Sequence, residues 1–144
     1  MSWNPQRYLA YEGERLRPAL DLLARVALER PRTVVDLGCG AGNVTRVLAE
    51  RWPDASVLGV DNSAPMLSKA RAAPGDLARV AFEAADIGAW RPSSPVDLLY
   101  SNAALHWLPD HATLFPAVAR MVAPGGVLAV QMPLNYDAPS HVSV

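Results

Sequence analysis

The stretch VVDLGCGAGN, residues 34–43, predicts both the fold of this chain and the kind of site it carries. An apolar, β-branched run contains Asp36 near its end, and three glycines at alternate positions follow before a helical pattern begins. A second apolar run, residues 56–60, ends at a second acid, Asp61. In a doubly wound sheet, this order of strand, glycine loop and helix is typical of a nucleoside-containing cofactor site at the carboxyl edge.

Length and composition predict one globular domain. The chain has 144 residues, of which 51% are hydrophobic and 19% charged, which is enough to bury a core. The net charge of -1 indicates no polybasic surface, so we expect no nucleic acid and no membrane as partner. The N-terminus lacks a signal-peptide pattern, and Cys39, the one cysteine, excludes an internal disulfide. These features predict a cytoplasmic protein.

Apolar periodicity alternates between strands and helices without hairpin turns. The predicted strands are 33–37, 56–60, 79–83, 96–101 and 127–131. The predicted helices are 18–30, 44–51, one capped by Ser63 with Met66, Leu67 and Ala70 inward, and one within 110–122. Pro116 lies inside the last pattern, where a proline must occupy a first turn or cause a kink, so we expect that helix to start late. The alternation predicts a doubly wound α/β fold with a parallel sheet.

The glycine spacing and the neighbouring acid help to choose the cofactor. Gly38, Gly40 and Gly42 give G-x-G-x-G, whereas a dinucleotide site has G-x-G-x-x-G, and the third glycine of that pattern would fall at Asn43. Asp36 would also bring negative charge close to a pyrophosphate. An acid there suits an ammonium-bearing ligand, which disfavours NAD and favours S-adenosylmethionine. A glycine turn with no ligand is the alternative.

Two further acids follow the next two predicted strands. Asp61 ends the second strand, where a carboxylate can accept hydrogen bonds from both hydroxyls of a ribose. Asp86 follows the third strand and can accept from an adenine amino group, while Ile87 lies against the ring. Because the carboxyl ends of parallel strands share one edge, all three acids point to one crevice.

Residues 34–42 resemble the first motif of the class I, Rossmann-like S-adenosylmethionine-dependent methyltransferases. More narrowly, the whole chain resembles the trans-aconitate 2-methyltransferase family. The glycine motif is specific only to the superfamily, whereas WLPDH at 107–111 and QMP at 131–133 are much narrower. Further matching segments lie at 3–5, 8–9, 14–15, 17–19, 22–26, 85–87, 90, 102–103, 114–116 and 126–130. The chain departs from the family at Leu134, where an acid is usual.

The resemblance implies a set of residues around S-adenosylmethionine. They are Asp36, Gly38, Cys39 and Gly40 at the methionine end, Asp61 at the ribose, Asn62 and Met66 flanking the adenine, Asp86 and Ile87 at its edge, and Asn102 closing the site. It also implies a helical segment over the crevice at 1–30, a cofactor-binding core at 31–133 and an irregular tail at 134–144. The implied fold is a Rossmann-like parallel sheet of five strands, without the last two strands of the full methyltransferase fold, because the family continues beyond Val144.

The implied reaction is methyl transfer from S-adenosylmethionine to a carboxylate of trans-aconitate, giving a monomethyl ester. A carboxylate is already ionised at neutral pH and needs no general base, so we name no catalytic residue. Arg15 and Arg17 are candidates to grip a polycarboxylate, and His106 and Trp107 are candidates at the crevice mouth. Exposed arginines and ordinary packing are the alternatives. The histidines and Cys39 lack metal-ligand spacing, so we expect no metal.

Other functions remain open at this point. The chain could be a cofactor-binding module that does not turn over because the cover of the substrate pocket is missing, or a methyltransferase for another small molecule. An NAD-dependent enzyme is a third alternative. The predicted strand 127–131 is the last strand of the sheet, and its outer edge has no partner strand. We therefore also expect self-association through this exposed edge.

Overall fold

The computed structural model describes residues 17–73, 78–102, 111–131 and 141–143. The helices are α1 (Arg17–Ala24), α2 (Asn43–Arg51), α3 (Ala64–Ala72) and α4 (His111–Ala119). The strands are β1 (Thr33–Leu37), β2 (Ser56–Asp61), β3 (Val80–Ala84), β4 (Val96–Asn102), β5 (Val122–Gln131) and β6 (His141–Ser143).

These strands form one sheet in the order β3-β2-β1-β4-β5-β6. Strands β1 to β5 are parallel, and β6 is antiparallel to β5. The predicted Rossmann-like sheet of five parallel strands is therefore confirmed, and β6 adds a sixth strand within the tail that was predicted to be irregular. The strand order reverses between β1 and β4, and ligands of such sheets bind at the carboxyl ends of the strands at this reversal.

Helices cover both faces of the sheet. Alternate residues of a strand point to opposite faces, and Val34 and Leu98 belong to one buried cluster while Val35 and Leu99 belong to the other. The first cluster includes the apolar sides of α1 and α2, and the second includes that of α4. Within the described residues, no helix is long and apolar enough to cross a membrane.

Helix α1 ends at Ala24, so the predicted helix to Arg30 is too long. The guanidinium of Arg51, on α2, donates to the carbonyl of Leu23, and also to that of Val26 at 2.7 Å. The Leu23 carbonyl also accepts from the Val26 amide at 3.1 Å, so backbone and side-chain donors together satisfy the carbonyls at this helix end. The end of α1 thus bonds to Arg51, which lies far along the sequence, and local periodicity does not reveal this contact.

Two boundaries around Pro116 and the following glycines also differ from the prediction. Helix α4 begins at His111 and keeps Pro116 inside it, so the late start is wrong. Pro116 is exposed, while Leu114 and Val118 are buried, so packing holds the helix although the proline removes a backbone bond. Strand β5 starts at Val122 instead of at residue 127, because an irregularity opposite Asp97 lets 123–126 bulge and remain in the strand.

The edge of β5 is paired in this structure. Ala129, Val130 and Gln131 lie opposite Ser143, Val142 and His141 of β6. The predicted unpaired edge is therefore wrong over these residues, and the self-association inferred from it loses the free strand on which it depended.

Candidate cofactor site

The loop between β1 and α2 folds back onto β2 and exposes its backbone. Gly38, Gly40 and Gly42 have φ angles of 84°, 55° and 85°, in the left-handed region that favours glycine. The amides of Gly38 and Cys39 both donate to the carbonyl of Val60, at 2.7 and 3.0 Å. Among the described residues other than its chain neighbours, no atom lies within 4 Å of a Cβ added at Gly40. The backbone at Gly40 therefore borders open space, into which a ligand can approach closely.

The carboxylate of Asp61 connects this loop to the segment after β2. Its Oδ2 accepts from the Gly40 amide at 2.8 Å, and its Oδ1 accepts from the Ser63 amide at 2.9 Å. Each carboxylate oxygen has more than one lone-pair site. Asp61 can therefore hold the loop in place and still accept hydrogen bonds from a ligand.

Asp36 lies buried beneath the loop, with 3% of its surface exposed. Its Oδ2 accepts from the hydroxyl of Thr45 at 2.8 Å. Burial, opposed by the hydrogen bond from Thr45 and reinforced by the charge of Asp61, raises the pKa of Asp36 to about 7. A cationic ligand group nearby would favour the ionised carboxylate, so this environment suits an ammonium group.

Cys39 has a packing role in the loop. Burial, together with the charges of Asp36 and Asp61, raises the pKa of its thiol to about 12. A Cβ at Gly59 would lie 2.9 Å from the Cys39 sulfur, so Gly59 leaves the space that this side chain occupies. Because the thiolate is the reactive form of cysteine, the Cys39 thiol is inert near neutral pH.

The remaining predicted cofactor residues follow β2, β3 and β4 at the same edge of the sheet. Asn62 and Asp86 are exposed, and Ile87 and Asn102 are half-buried. The Oδ1 of Asp86 accepts from the Gly88 amide at 2.9 Å. Parallel pairing brings these positions to the edge that carries Asp36 and Asp61, as the sequence predicted.

Met66 points differently from the prediction. Ser63 caps α3 as expected, since its hydroxyl accepts from the Met66 amide at 3.4 Å. Leu67 and Ala70 are buried, but Met66 is 42% exposed, so its predicted inward position is wrong. Met66 lies about 100° around the helix from Leu67, on the exposed side of the border of the buried face. Its thioether is accessible to a ligand.

The predicted substrate residues are largely outside the described part of the chain. Arg15, His106 and Trp107 lie outside the described residues. Arg17 begins α1 and is exposed. Their roles remain predictions. In the ranges 17–73, 78–102 and 111–131, no group of three or more His, Cys, Asp or Glu side chains could hold a metal ion.

Two buried hydroxyls at the site were not identified from the sequence. Thr45 contacts Asp36, and the hydroxyl of Ser101 donates to the carbonyl of Leu37 at 2.7 Å. The bond from Ser101 to Leu37 comes one residue after the last pair of β1 and β4, which is Asp36 and Tyr100. A signal for Thr45 was present, because Thr45 and Leu48 share a helix face, and a hydroxyl on a buried face needs a hydrogen-bond partner.

Gly42→Ala is expected to lower the free energy of unfolding by about 2 to 4 kcal/mol, of which the left-handed backbone accounts for about 1 to 2 kcal/mol. The new Cβ would lie 3.0 Å from the ring of Phe82 and 3.1 Å from Ala70. Gly125→Ala is the matched control, since Gly125 has a φ of 84° and no atom within 4 Å of an added Cβ. Urea unfolding measures both variants; equal losses would contradict crowding at Gly42.

Comparisons with known proteins agree with this geometry. Residues 34–126 match the family described as "Methyltransferase domain". Trans-aconitate 2-methyltransferase of Azoarcus sp. (strain BH72) is 58% identical over 140 residues, which cover 97% of this chain and 54% of that protein. The S-adenosylmethionine-dependent methyltransferase from Mesorhizobium loti has a TM-score of 0.71 and 38% identity, covering 84% of this chain and 55% of that one.

A third relative was solved with the cofactor. Phosphoethanolamine N-methyltransferase 2 of Haemonchus contortus, in complex with S-adenosyl-L-methionine, has a TM-score of 0.68 and 26% identity, covering 81% of this chain and 28% of that one. The fold and the matched domain therefore define a class: the chain belongs to the S-adenosylmethionine-dependent methyltransferases. Within that class, its curated relatives are trans-aconitate 2-methyltransferases. The chain spans about half the length of these relatives.

Proposed function

We propose that the crevice beside the glycine loop binds S-adenosylmethionine and serves the methylation of a carboxylate of trans-aconitate, giving a monomethyl ester. The observation that carries the proposal is that open backbone at Gly40 lies beside two acids: Asp36, which is buried, and Asp61, which accepts a hydrogen bond from the Gly40 amide. These features lie where the strand order reverses between β1 and β4. Relatives that are named trans-aconitate 2-methyltransferase support the substrate.

The residues of the crevice fit the parts of this cofactor. Asp36 would receive the ammonium group, and the free lone pairs of Asp61 would receive the ribose hydroxyls. The open backbone at Gly38 to Gly40 would border the methionine end. When bound, S-adenosylmethionine supplies the methyl group on a sulfonium. Asn62, Met66, Asp86 and Ile87 would surround the adenine, and Asn102 would close the site.

Methyl transfer to a carboxylate requires mainly that the protein position the two reactants. A substrate carboxylate is ionised at neutral pH and is itself the nucleophile. The site therefore has to orient two reactants and exclude water, and it needs no general base. Arg15 and Arg17 would bind the other carboxylates of the substrate, with His106 and Trp107 at the crevice mouth. We also expect a cytoplasmic location and no nucleic acid partner, as the composition predicts.

A binding module without turnover is the second candidate, because the observations at Gly40, Asp36 and Asp61 concern the cofactor and not the substrate. Isothermal titration with S-adenosylhomocysteine, beside a methyl-transfer assay on trans-aconitate, separates the two functions. We expect binding, with NADH binding more weakly. Binding without ester product supports the module, and no binding of S-adenosylhomocysteine contradicts both candidates.

Gly40→Ala provides a matched test of the site's location. Apart from its chain neighbours, no atom of the described residues lies within 4 Å of the added methyl group, so a loss of affinity beyond the effect of backbone strain is expected to come from contact with the ligand. We expect at least about a tenfold loss of affinity for S-adenosylhomocysteine, since one lost close contact with the backbone corresponds to about 1.4 kcal/mol. Unchanged affinity would place the ligand elsewhere.

A further inference from the structure

The buried hydroxyl of Thr45 donates its hydrogen bond to a side chain outside its own helix. Thr45 lies in the first turn of α2, with 0% of its surface exposed. The first turn of a helix has no preceding turn to whose carbonyls a threonine hydroxyl could donate. The Thr45 hydroxyl donates to the Oδ2 of Asp36, on β1, at 2.8 Å. Because both side chains are buried, water does not readily replace this bond.

We propose that Thr45 is a positioning residue for the cofactor: its hydroxyl fixes the Asp36 carboxylate and keeps it available, in its ionised form, for the ammonium group. This inference rests on the proposed function, in which Asp36 receives that group. Thr45 itself is not proposed to touch the cofactor. It acts through Asp36, so its loss should change the pH dependence of binding as well as its strength.

The groups around Asp36 show why this bond matters. Asp61, on β2, carries a charge that opposes the ionisation of Asp36. The thiol of Cys39 in the loop and the phenol of Tyr100, which lies opposite Asp36 on β4, both have raised pKa values and are neutral near pH 7. Among the described groups that act on Asp36, the Thr45 hydroxyl is the one that favours the ionised carboxylate.

Thr45→Val keeps the β-branched shape and removes the hydroxyl. A hydrogen bond to a charged group contributes about 1.5 to 3 kcal/mol, so we expect at least about a tenfold loss of affinity for S-adenosylhomocysteine near pH 7. The loss should shrink at higher pH, where Asp36 ionises without help. Thr45→Ser keeps the hydroxyl and should restore most of the affinity and the wild-type pH profile.

Ser101→Ala is the matched control. It also removes a buried hydroxyl at the end of a strand of this crevice, but that hydroxyl donates to the Leu37 carbonyl. We expect this variant to lose stability without moving the pH profile of binding. A shift equal to that of Thr45→Val would mean that any buried hydroxyl here acts through general stability, and it would overturn the proposal.

The experiment is isothermal titration of each variant with S-adenosylhomocysteine across about pH 6 to 9, together with urea unfolding of the ligand-free protein over the same range. Unfolding gives a readout that is independent of the ligand, because the pH at which the contribution of Asp36 changes should rise in Thr45→Val. If the wild type does not bind, the proposed function fails. If it binds and both pH profiles of Thr45→Val match the wild type, the role of Thr45 is wrong. Thr45→Ala gives the same comparison if the valine variant does not fold.

Discussion

Asp61→Ala is expected to weaken the binding of S-adenosylhomocysteine by at least about a hundredfold, because a hydrogen bond to a charged group contributes about 1.5 to 3 kcal/mol. The change removes the proposed acceptor of the ribose hydroxyls. It also frees the amides of Gly40 and Ser63, which the carboxylate holds at 2.8 and 2.9 Å. The loop after β1 and the start of α3 then lose the side chain that joins them.

The fold should survive this change. We expect the free energy of unfolding to fall by about 2 to 4 kcal/mol, since two hydrogen bonds to a charged group are lost and water can replace part of them at half-buried Asp61, while the helix and strand content stays as in the wild type. Isothermal titration and circular dichroism measure the two effects separately. A variant that binds as tightly as the wild type would show that the ribose does not lie at Asp61.

Asp97→Ala is the matched control for this experiment. Its Oδ2 also accepts from two backbone amides, those of Arg32 at 2.7 Å and Thr33 at 3.4 Å. These bonds lie at the amino ends of β1 and β4, the opposite edge of the sheet from the proposed site. We expect a loss of stability without a loss of affinity. A comparable loss of affinity in Asp97→Ala would mean that Asp61→Ala acts through stability alone.

Asp36→Asn is expected to change stability and binding in opposite directions. The folded state raises the pKa of this buried carboxyl from 3.8 to about 7, which corresponds to roughly 4 kcal/mol. Below about pH 4 the carboxyl is protonated in both states, and above about pH 7 it is ionised in both. Between these values the folded state binds more protons, so the contribution of Asp36 to stability falls as pH rises.

The asparagine variant should therefore be more stable than the wild type by a few kcal/mol at about pH 8, where the wild type holds a buried charge, and about equally stable near pH 4. Its affinity for S-adenosylhomocysteine should be at least about tenfold lower at pH 8, because the charged partner of the ammonium group is gone. Wild-type affinity should rise with pH through about 7, and that of the variant should not.

Urea unfolding and isothermal titration at these pH values test both halves of the expectation. Asp54→Asn, which changes an exposed acid on the turn between α2 and β2, is the control and should change neither quantity. If Asp36→Asn is less stable than the wild type at high pH, the folded state does not raise the pKa of Asp36. Unchanged affinity would mean that the carboxylate does not meet the cofactor.

Local patterns were sufficient to predict most of the elements. Strand β1 and the cap at Ser63 were predicted correctly, because a continuous apolar run and a serine before a helix are signals carried by neighbouring residues. The end of α1 and the start of β5 were not, because the carbonyl of Val26 bonds to Arg51 and Val122 pairs with Val96, and these partners lie far away in the sequence. Met66 was also misplaced, because an apolar residue next to the buried face of a helix can still point to solvent.

By itself, the sequence determined the class of fold and the edge of the sheet where the cofactor residues meet, because strand periodicity and the glycine loop after β1 are local properties. Only the tertiary structure decided how the acids there are used. Asp61 holds the Gly40 and Ser63 amides, and Asp36 is buried against Thr45 with a pKa near 7. Burial and hydrogen-bond partners depend on several chain segments packing together, so no single stretch of residues encodes them.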